Sequence, residues 1–182
     1  MFSDYRQYRD LYLRPDFEYR CAYCLTCEFY FLQGDGSEID HYRPLRAASH
    51  DFSSLRNVYS NLYWTCGQCN LEKGNRWPSD AERTEGFRFL DPCFDDHDDH
   101  WDTHTDGTVT AKTNVGRYTI RFIRLDRQRL NNLRRVLYAY QQKVAALEAE
   151  LNRRNLSPDQ REALLAHLTD IRALVEPPVF ER

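Results

Sequence analysis

The last third of the chain has the clearest hydrophobic pattern. From Asp126 onward, apolar side chains recur at every third or fourth position, the spacing of one helix face: Leu130, Leu133, Leu137, Tyr140, Val144, Leu147 and Leu151. Ser157 and Pro158 then have the residue types of an N-cap and a first helical position, and a second apolar stripe runs from Leu164 to Leu174. The pattern predicts an antiparallel helical hairpin over residues 126–182. Its stripes fit a hairpin that caps the core, and a partner-binding arm is the alternative.

The first 20 residues are predicted to contain a shorter helix. Tyr5, Tyr8, Leu11 and Tyr12 alternate with charged residues at helical spacing, and Pro15 follows them. We therefore expect an amphipathic packing helix that ends before Pro15.

Strand patterns are weaker and lie between residues 87 and 125. Thr108-Val109-Thr110 and Tyr118-Thr119-Ile120-Arg121-Phe122 are rich in β-branched and aromatic residues and flank Gly116. The composition predicts two short strands there.

The whole-chain properties narrow the class of protein. A chain of 182 residues can bury one substantial core. The net charge of -3 gives no overall attraction to nucleic acid, so any such binding needs a local basic patch. The sequence has no signal-peptide run at its start and no stretch near the roughly 18 apolar residues of a membrane span. These features predict a soluble cytoplasmic protein.

Six cysteines occur in a chain without an export signal, which favours metal binding over disulfides. Two CxxC units, Cys21 with Cys24 and Cys66 with Cys69, can place four thiolates around a zinc ion. Such an ion has no open position for substrate, so its role would be structural. Because Cys27 forms a further CxxC with Cys24, a shifted pairing is an alternative.

A second group could also bind metal. It lies in an aspartate-rich stretch and consists of Cys93, His97, His100 and His104. A solvated acidic loop explains the same residues without any ion, and this is the favoured interpretation.

Three motifs lie within or beside the cysteine pairs. They are Glu38-Ile39-Asp40-His41-Tyr42-Arg43-Pro44, Tyr59-Ser60-Asn61-Leu62 and Cys69-Asn70-Leu71-Glu72-Lys73-Gly74. In this order they resemble the HNH endonuclease family, whose pattern is CxxC, then DH with a proline three residues after the histidine, then NL and CxxCNxxKG. The resemblance covers residues 21–78.

The resemblance implies an α+β fold in which a ββα-metal core holds one divalent ion. Asp40 and Asn70 resemble the metal ligands of the family, His41 its general base, and Asn61 the asparagine that holds the catalytic loop. We therefore expect a nuclease domain over residues 21–125, with its core at 21–78 and the helical hairpin as an extension.

The chemistry of these residue types agrees with those roles. A neutral histidine can accept a proton from water, and carboxylate and amide oxygens suit magnesium or manganese. Arg43, Lys73 and Arg76 are expected to form the local basic patch that contacts phosphates. Glu38 receives no role from the sequence.

Some similar proteins serve as nuclease subunits of anti-phage systems such as Septu, beside an ATPase. The resemblance therefore implies a hydrolase that cuts DNA in antiviral defence, with a protein partner such as an ATPase subunit at the helical hairpin. The alternatives are a catalytically inactive zinc-stabilised binding module and a toxin-type or homing-type nuclease.

Overall fold

The computed structural model describes residues 2–30, 36–153 and 155–175. The chain forms two compact units. The first comprises Met1–Thr103 and Val109–Arg127, and the second comprises His104–Thr108 and Gln128–Arg182.

The N-terminal segment is helical, as predicted, but its turns change in type. A 3-10 turn at Tyr5–Tyr8 leads into a π-helical turn at Arg9–Leu13 and a short α1 at Arg14–Asp16. The predicted end before Pro15 is therefore wrong. Proline is tolerated in the first turn of an α-helix, and the change from π-helical to α-helical turns just before Pro15 provides that position.

A β-hairpin forms the centre of the first unit. Strand β1 at Ser37–His41 pairs antiparallel with a later strand at Leu62–Cys66, so that His41 lies opposite Leu62. Alternate residues of the later strand, Leu62 and Trp64, pack against Tyr8 and Leu13 of the N-terminal segment. The N-terminal helix is thus a packing element for one face of this hairpin.

The two strands of the hairpin are separated by a second, smaller pair. Strand β2 at Arg46–Ala47 pairs with β3 at His50–Asp51, which makes the strand at Leu62–Cys66 β4. Helix α2 at Gly67–Lys73 follows β4 directly. Strands β1 and β4 with α2 give the ββα arrangement that the resemblance implied.

The rest of the first unit is built from short elements. Helix α3 spans Asp80–Thr84, α4 spans His97–His100, β5 at Trp101–Thr103 pairs with β6 at Val109–Ala111, and α5 spans Asn114–Ile123. The strand predicted around Val109 is therefore confirmed. The sequence pattern had not indicated its partner, β5.

The second predicted strand is wrong, because residues 118–122 lie inside α5. The Thr113 hydroxyl caps this helix by accepting from the amide of Gly116 at 3.1 Å. Its buried positions, which include Val115, Tyr118 and Ile123, follow helical rather than alternating spacing. A Cβ at residue 116 would overlap the carbonyl oxygen of His100, which explains the glycine at this close contact.

The second unit consists mainly of two packed helices, as predicted. Helix α6 spans Gln128–Leu151 and α7 spans Pro158–Val175. Ser157 caps α7, because its hydroxyl accepts from the Gln160 amide at 3.2 Å while the Gln160 side chain accepts from the Ser157 amide at 2.9 Å. The predicted hairpin residues 176–182 lie outside the described residues. Among the described helices, none is both long and apolar enough to cross a bilayer.

Candidate active site

Four cysteines form a buried cluster at the end of β4. The Sγ atoms of Cys21, Cys24, Cys66 and Cys69 all lie within 4.8 Å of one another. Cys66 ends β4 and caps α2, since its sulfur accepts from the amide of Cys69 at 3.4 Å. The amide of Ala22 donates to the carbonyl of Trp64 at 2.8 Å and so holds the first CxxC against β4.

This cluster could hold a metal ion. Burial raises the pKa of the Cys21 thiol, whereas hydrogen bonds with the other cysteines lower the pKa of Cys24. A bound cation would lower the pKa of every cysteine in the cluster, so that all four sulfurs could be thiolates. Cys27 is half-buried and lies outside the cluster, so the quartet has the predicted rather than the shifted pairing.

Arg127 lies beside the cluster, and the sequence pattern did not single it out. Its guanidinium donates to the sulfur of Cys69 at 3.3 Å and to the carbonyl oxygens of Ile123 and Arg124. It places a positive charge next to four potentially anionic sulfurs. The only sequence signal for this role is a basic residue just before α6.

The second candidate metal group is not assembled in the first unit. His97 Nε2 donates to the carbonyl of Ala22 at 3.0 Å, and His100 Nδ1 lies 2.7 Å from the hydroxyl of Thr113. An ion could be held by three or more His, Cys, Asp or Glu side chains that lie close together. The cysteine quartet is the one such group among the described residues.

His41 ends β1, and its ring is held in one orientation. The ring Nε2 lies 2.9 Å from the carbonyl oxygen of Arg56, which can only accept, so Nε2 carries the proton and Nδ1 keeps its lone pair. Burial lowers the pKa of His41 below its usual value of 6.5. The Tyr5 ring packs edge-on against the imidazole, with 4.8 Å between the ring centroids. His41 is therefore a neutral histidine at pH 7, with one nitrogen able to accept a proton.

Asn61 fastens the loop that follows His41. Its buried side chain accepts from the amide of Arg43 at 2.8 Å and donates to the carbonyl of Arg43 at 3.1 Å. Its backbone carbonyl accepts from the amide of Tyr42 at 2.9 Å. These bonds fix the backbone that follows His41.

Asp40 points into the protein, where two side chains bind it. The Lys73 ammonium donates to Oδ1 at 2.8 Å, and the Tyr23 hydroxyl donates to Oδ2 at 2.6 Å. Lys73 also donates to the carbonyl of His41 at 2.8 Å and is fully buried. This placement does not agree with the expected phosphate contact of Lys73, because its ammonium is enclosed by the carboxylate and carbonyl that it binds.

A cavity of about 540 Å³ lies between β1 and α2, and its lining includes Glu38, Asp40, His41 and Asn70. The Asn70 amide nitrogen donates to the carboxylate of Glu38, which is exposed. Carboxylate and amide oxygens are the donors that magnesium and manganese prefer. The donor set beside His41 therefore fits a hard divalent cation.

The two other predicted phosphate-binding residues are exposed. The Arg43 guanidinium lies 6.0 Å from the ring centroids of both Phe52 and Trp77, and that of Arg76 lies 4.9 Å from the ring of Phe122. Stacking on aromatic rings limits the rotamers of both arginines while leaving them accessible.

Comparisons with known proteins agree with this geometry. The HNH endonuclease family matches residues 21–76, which contain β1, β4, α2 and the four cysteines. The chain is also 26% identical over 148 residues to Septu protein PtuA of Bacillus mycoides (strain KBAB4), a match that covers 70% of this chain. The chain spans only 20% of that relative's length. No solved structure matches significantly. Residues 21–76 of this chain therefore form an HNH endonuclease domain.

Proposed function

We propose that this protein is an endonuclease that hydrolyses phosphodiester bonds of DNA with a magnesium or manganese ion and with His41 as general base. The observation that carries the proposal is the fixed, neutral imidazole of His41 beside a cavity lined by oxygen donors. Hydrolysis of a phosphodiester needs a base for the attacking water and a positive charge near the phosphate, and this cavity can provide both.

Each residue has a defined task in this reaction. His41 Nδ1 takes the proton of the attacking water, because Nε2 already donates to Arg56. Asn61 holds the loop that follows His41 in place through its hydrogen bonds to the backbone of Arg43. Asn70 and a carboxylate of β1, for which the sequence predicts Asp40, hold the cation. When bound, the cation neutralises charge that develops on the phosphate and on the leaving oxygen.

The cysteine quartet and the exposed arginines support the site from outside. We propose that the quartet binds zinc, since four buried thiolates satisfy its tetrahedral coordination without leaving a position for substrate. Arg43 and Arg76 supply phosphate contacts that do not depend on base sequence.

Cleavage assays with a His41→Ala variant test this function. Plasmid, single-stranded DNA and RNA are incubated with magnesium or manganese, and the variant should lose about 100-fold to 10,000-fold in rate because it lacks the base. His167→Ala, an exposed histidine of the second unit, is the control and should cleave like the wild type. Equal cleavage by His41→Ala would refute the mechanism, and binding without cleavage by the wild type would favour the alternative of an inactive binding module.

We further propose a role in anti-phage defence together with a protein partner. The match to Septu protein PtuA supports this role, because it covers 70% of the chain and so extends well beyond residues 21–76. The helices of the second unit are the proposed contact for a partner such as an ATPase subunit. A plaque assay that compares the wild type with His41→Ala, in cells that also express the proposed ATPase partner, should show protection that requires His41.

A further inference from the structure

Strand β1 carries two carboxylates on the same face of the hairpin, because residues two positions apart in a strand point to the same side. These are Glu38 and Asp40, and both line the cavity with Asn70. Their environments differ sharply. Asp40 is 4% exposed, whereas Glu38 is an exposed residue.

The surroundings of Asp40 oppose direct binding of a dication. Both of its oxygens have protein donors, and one donor is the ammonium of Lys73 at 2.8 Å. A magnesium ion at the usual ligand distance from Asp40 would lie roughly 5 Å from that ammonium, in a region where water screens charge poorly. Lys73 is fully buried and also binds the carbonyl of His41, so it cannot turn aside without breaking two bonds.

Glu38 has the opposite properties. The Asn70 amide donates a hydrogen bond to the Glu38 carboxylate. Among the described residues, no cationic side chain forms an ion pair with this carboxylate. Its backbone is fixed by pairing with Thr65 in β4, whose hydroxyl also donates to the carbonyl of Glu38 at 3.3 Å. The carboxylate is therefore held in position by the strand and is free of a competing positive charge.

We propose that Glu38 and Asn70 together bind the divalent cation beside His41, while Asp40 is a positioning residue that holds Lys73 and does not touch the ion. The Asn70 amide now presents its nitrogen to Glu38, and a half-turn of the amide would present its oxygen to the same point. The ion then takes the place of this hydrogen bond, with one carboxylate and one amide oxygen as protein ligands and water or phosphate oxygens as the others. This inference rests on the proposed nuclease function for its location beside the base.

Manganese binding to the full chain tests the inference directly. Titration followed by electron paramagnetic resonance should show that Glu38→Gln weakens manganese affinity by about tenfold or more, since it removes a charged ligand. Glu72→Gln is the matched control, because Glu72 lies on α2, accepts from Gln68 at 2.9 Å and does not line the cavity. It should bind manganese like the wild type, and circular dichroism should show both variants folded.

Unchanged manganese affinity in Glu38→Gln would overturn the inference, as would a folded Asp40→Asn variant that alone loses the ion. The readouts also separate this inference from the nuclease proposal. A wild type that binds manganese through Glu38 but cleaves no nucleic acid would refute only the nuclease. A Glu38→Gln protein that binds manganese and cleaves like the wild type would refute only the role of Glu38.

Discussion

The cysteine cluster and the cavity beside His41 are built on the same short piece of backbone, yet they differ in almost every physical respect. Cys69 and Asn70 are neighbours in α2, but one belongs to a buried quartet of identical ligands and the other to an open cavity of mixed oxygen donors. The cluster has no position for substrate, whereas the cavity can admit water and phosphate. A closed site can share the hydrophobic core, whereas an open site has to take its ligands from the edge of that core.

Asp40 and Glu38 differ for the same physical reason. Asp40 is close enough to the core that its charge needs a buried partner, which Lys73 provides. Glu38, two residues earlier on the same strand, remains in solvent and can accept a cation. Position along one strand thus separates a structural carboxylate from a candidate ligand.

The largest effect is expected when one cysteine of the buried cluster is replaced. Cys69→Ser removes one of the four proposed zinc ligands, and structural zinc contributes on the order of 10 kcal/mol, which is comparable to the whole stability of a domain. The variant should lose its metal and be largely unfolded, as measured by elemental analysis and thermal circular dichroism. Cys27→Ser, outside the cluster, should keep both metal and fold. Retention of the ion by Cys69→Ser would contradict the assignment of the quartet.

A smaller effect is expected where the core meets the cavity. Lys73→Met leaves the Asp40 carboxylate buried without its cation, which should cost about 3–5 kcal/mol in urea unfolding. Lys112→Met removes an exposed pair with Asp102 and should cost less than about 1 kcal/mol. Similar losses in the two variants would show that burial does not distinguish the two ion pairs.

The smallest effect is expected in the pH dependence of cleavage at the cavity beside His41. The proposed base His41 accepts a proton only when it is deprotonated, and burial lowers its pKa below 6.5. Cleavage should therefore rise with pH through a midpoint below 6.5 and be level near pH 7, as measured by kcat/KM at constant metal concentration. His50→Ala should retain this acid limb. A midpoint above 6.5 would contradict a base that burial keeps neutral.

Local patterns predicted a large part of this protein because their physical causes are local. The spacing of two cysteines in a CxxC places both sulfurs on one turn, and the caps and apolar stripes of α7 depend on residues a few positions apart. The ββα core followed from a family resemblance carried by closely spaced motifs. The same local reasoning failed at residues 118–122, where β-branched and aromatic composition suggested a strand. These residues lie in a helix that Thr113 caps, and its buried positions have helical spacing.

The sequence by itself determined the HNH motifs, the cysteine pairs and the existence of the long helices, since each depends on neighbouring residues. Only the tertiary structure decided that Lys73 is buried against Asp40, that Tyr23 binds the same carboxylate, and that Arg127 reaches Cys69. The residues of these three pairs are 33, 17 and 58 positions apart in the chain, in the same order. Whether a charge at such a position faces solvent or another charge depends on how β1, α2 and the cysteine loops pack, and no single segment of the chain contains that information.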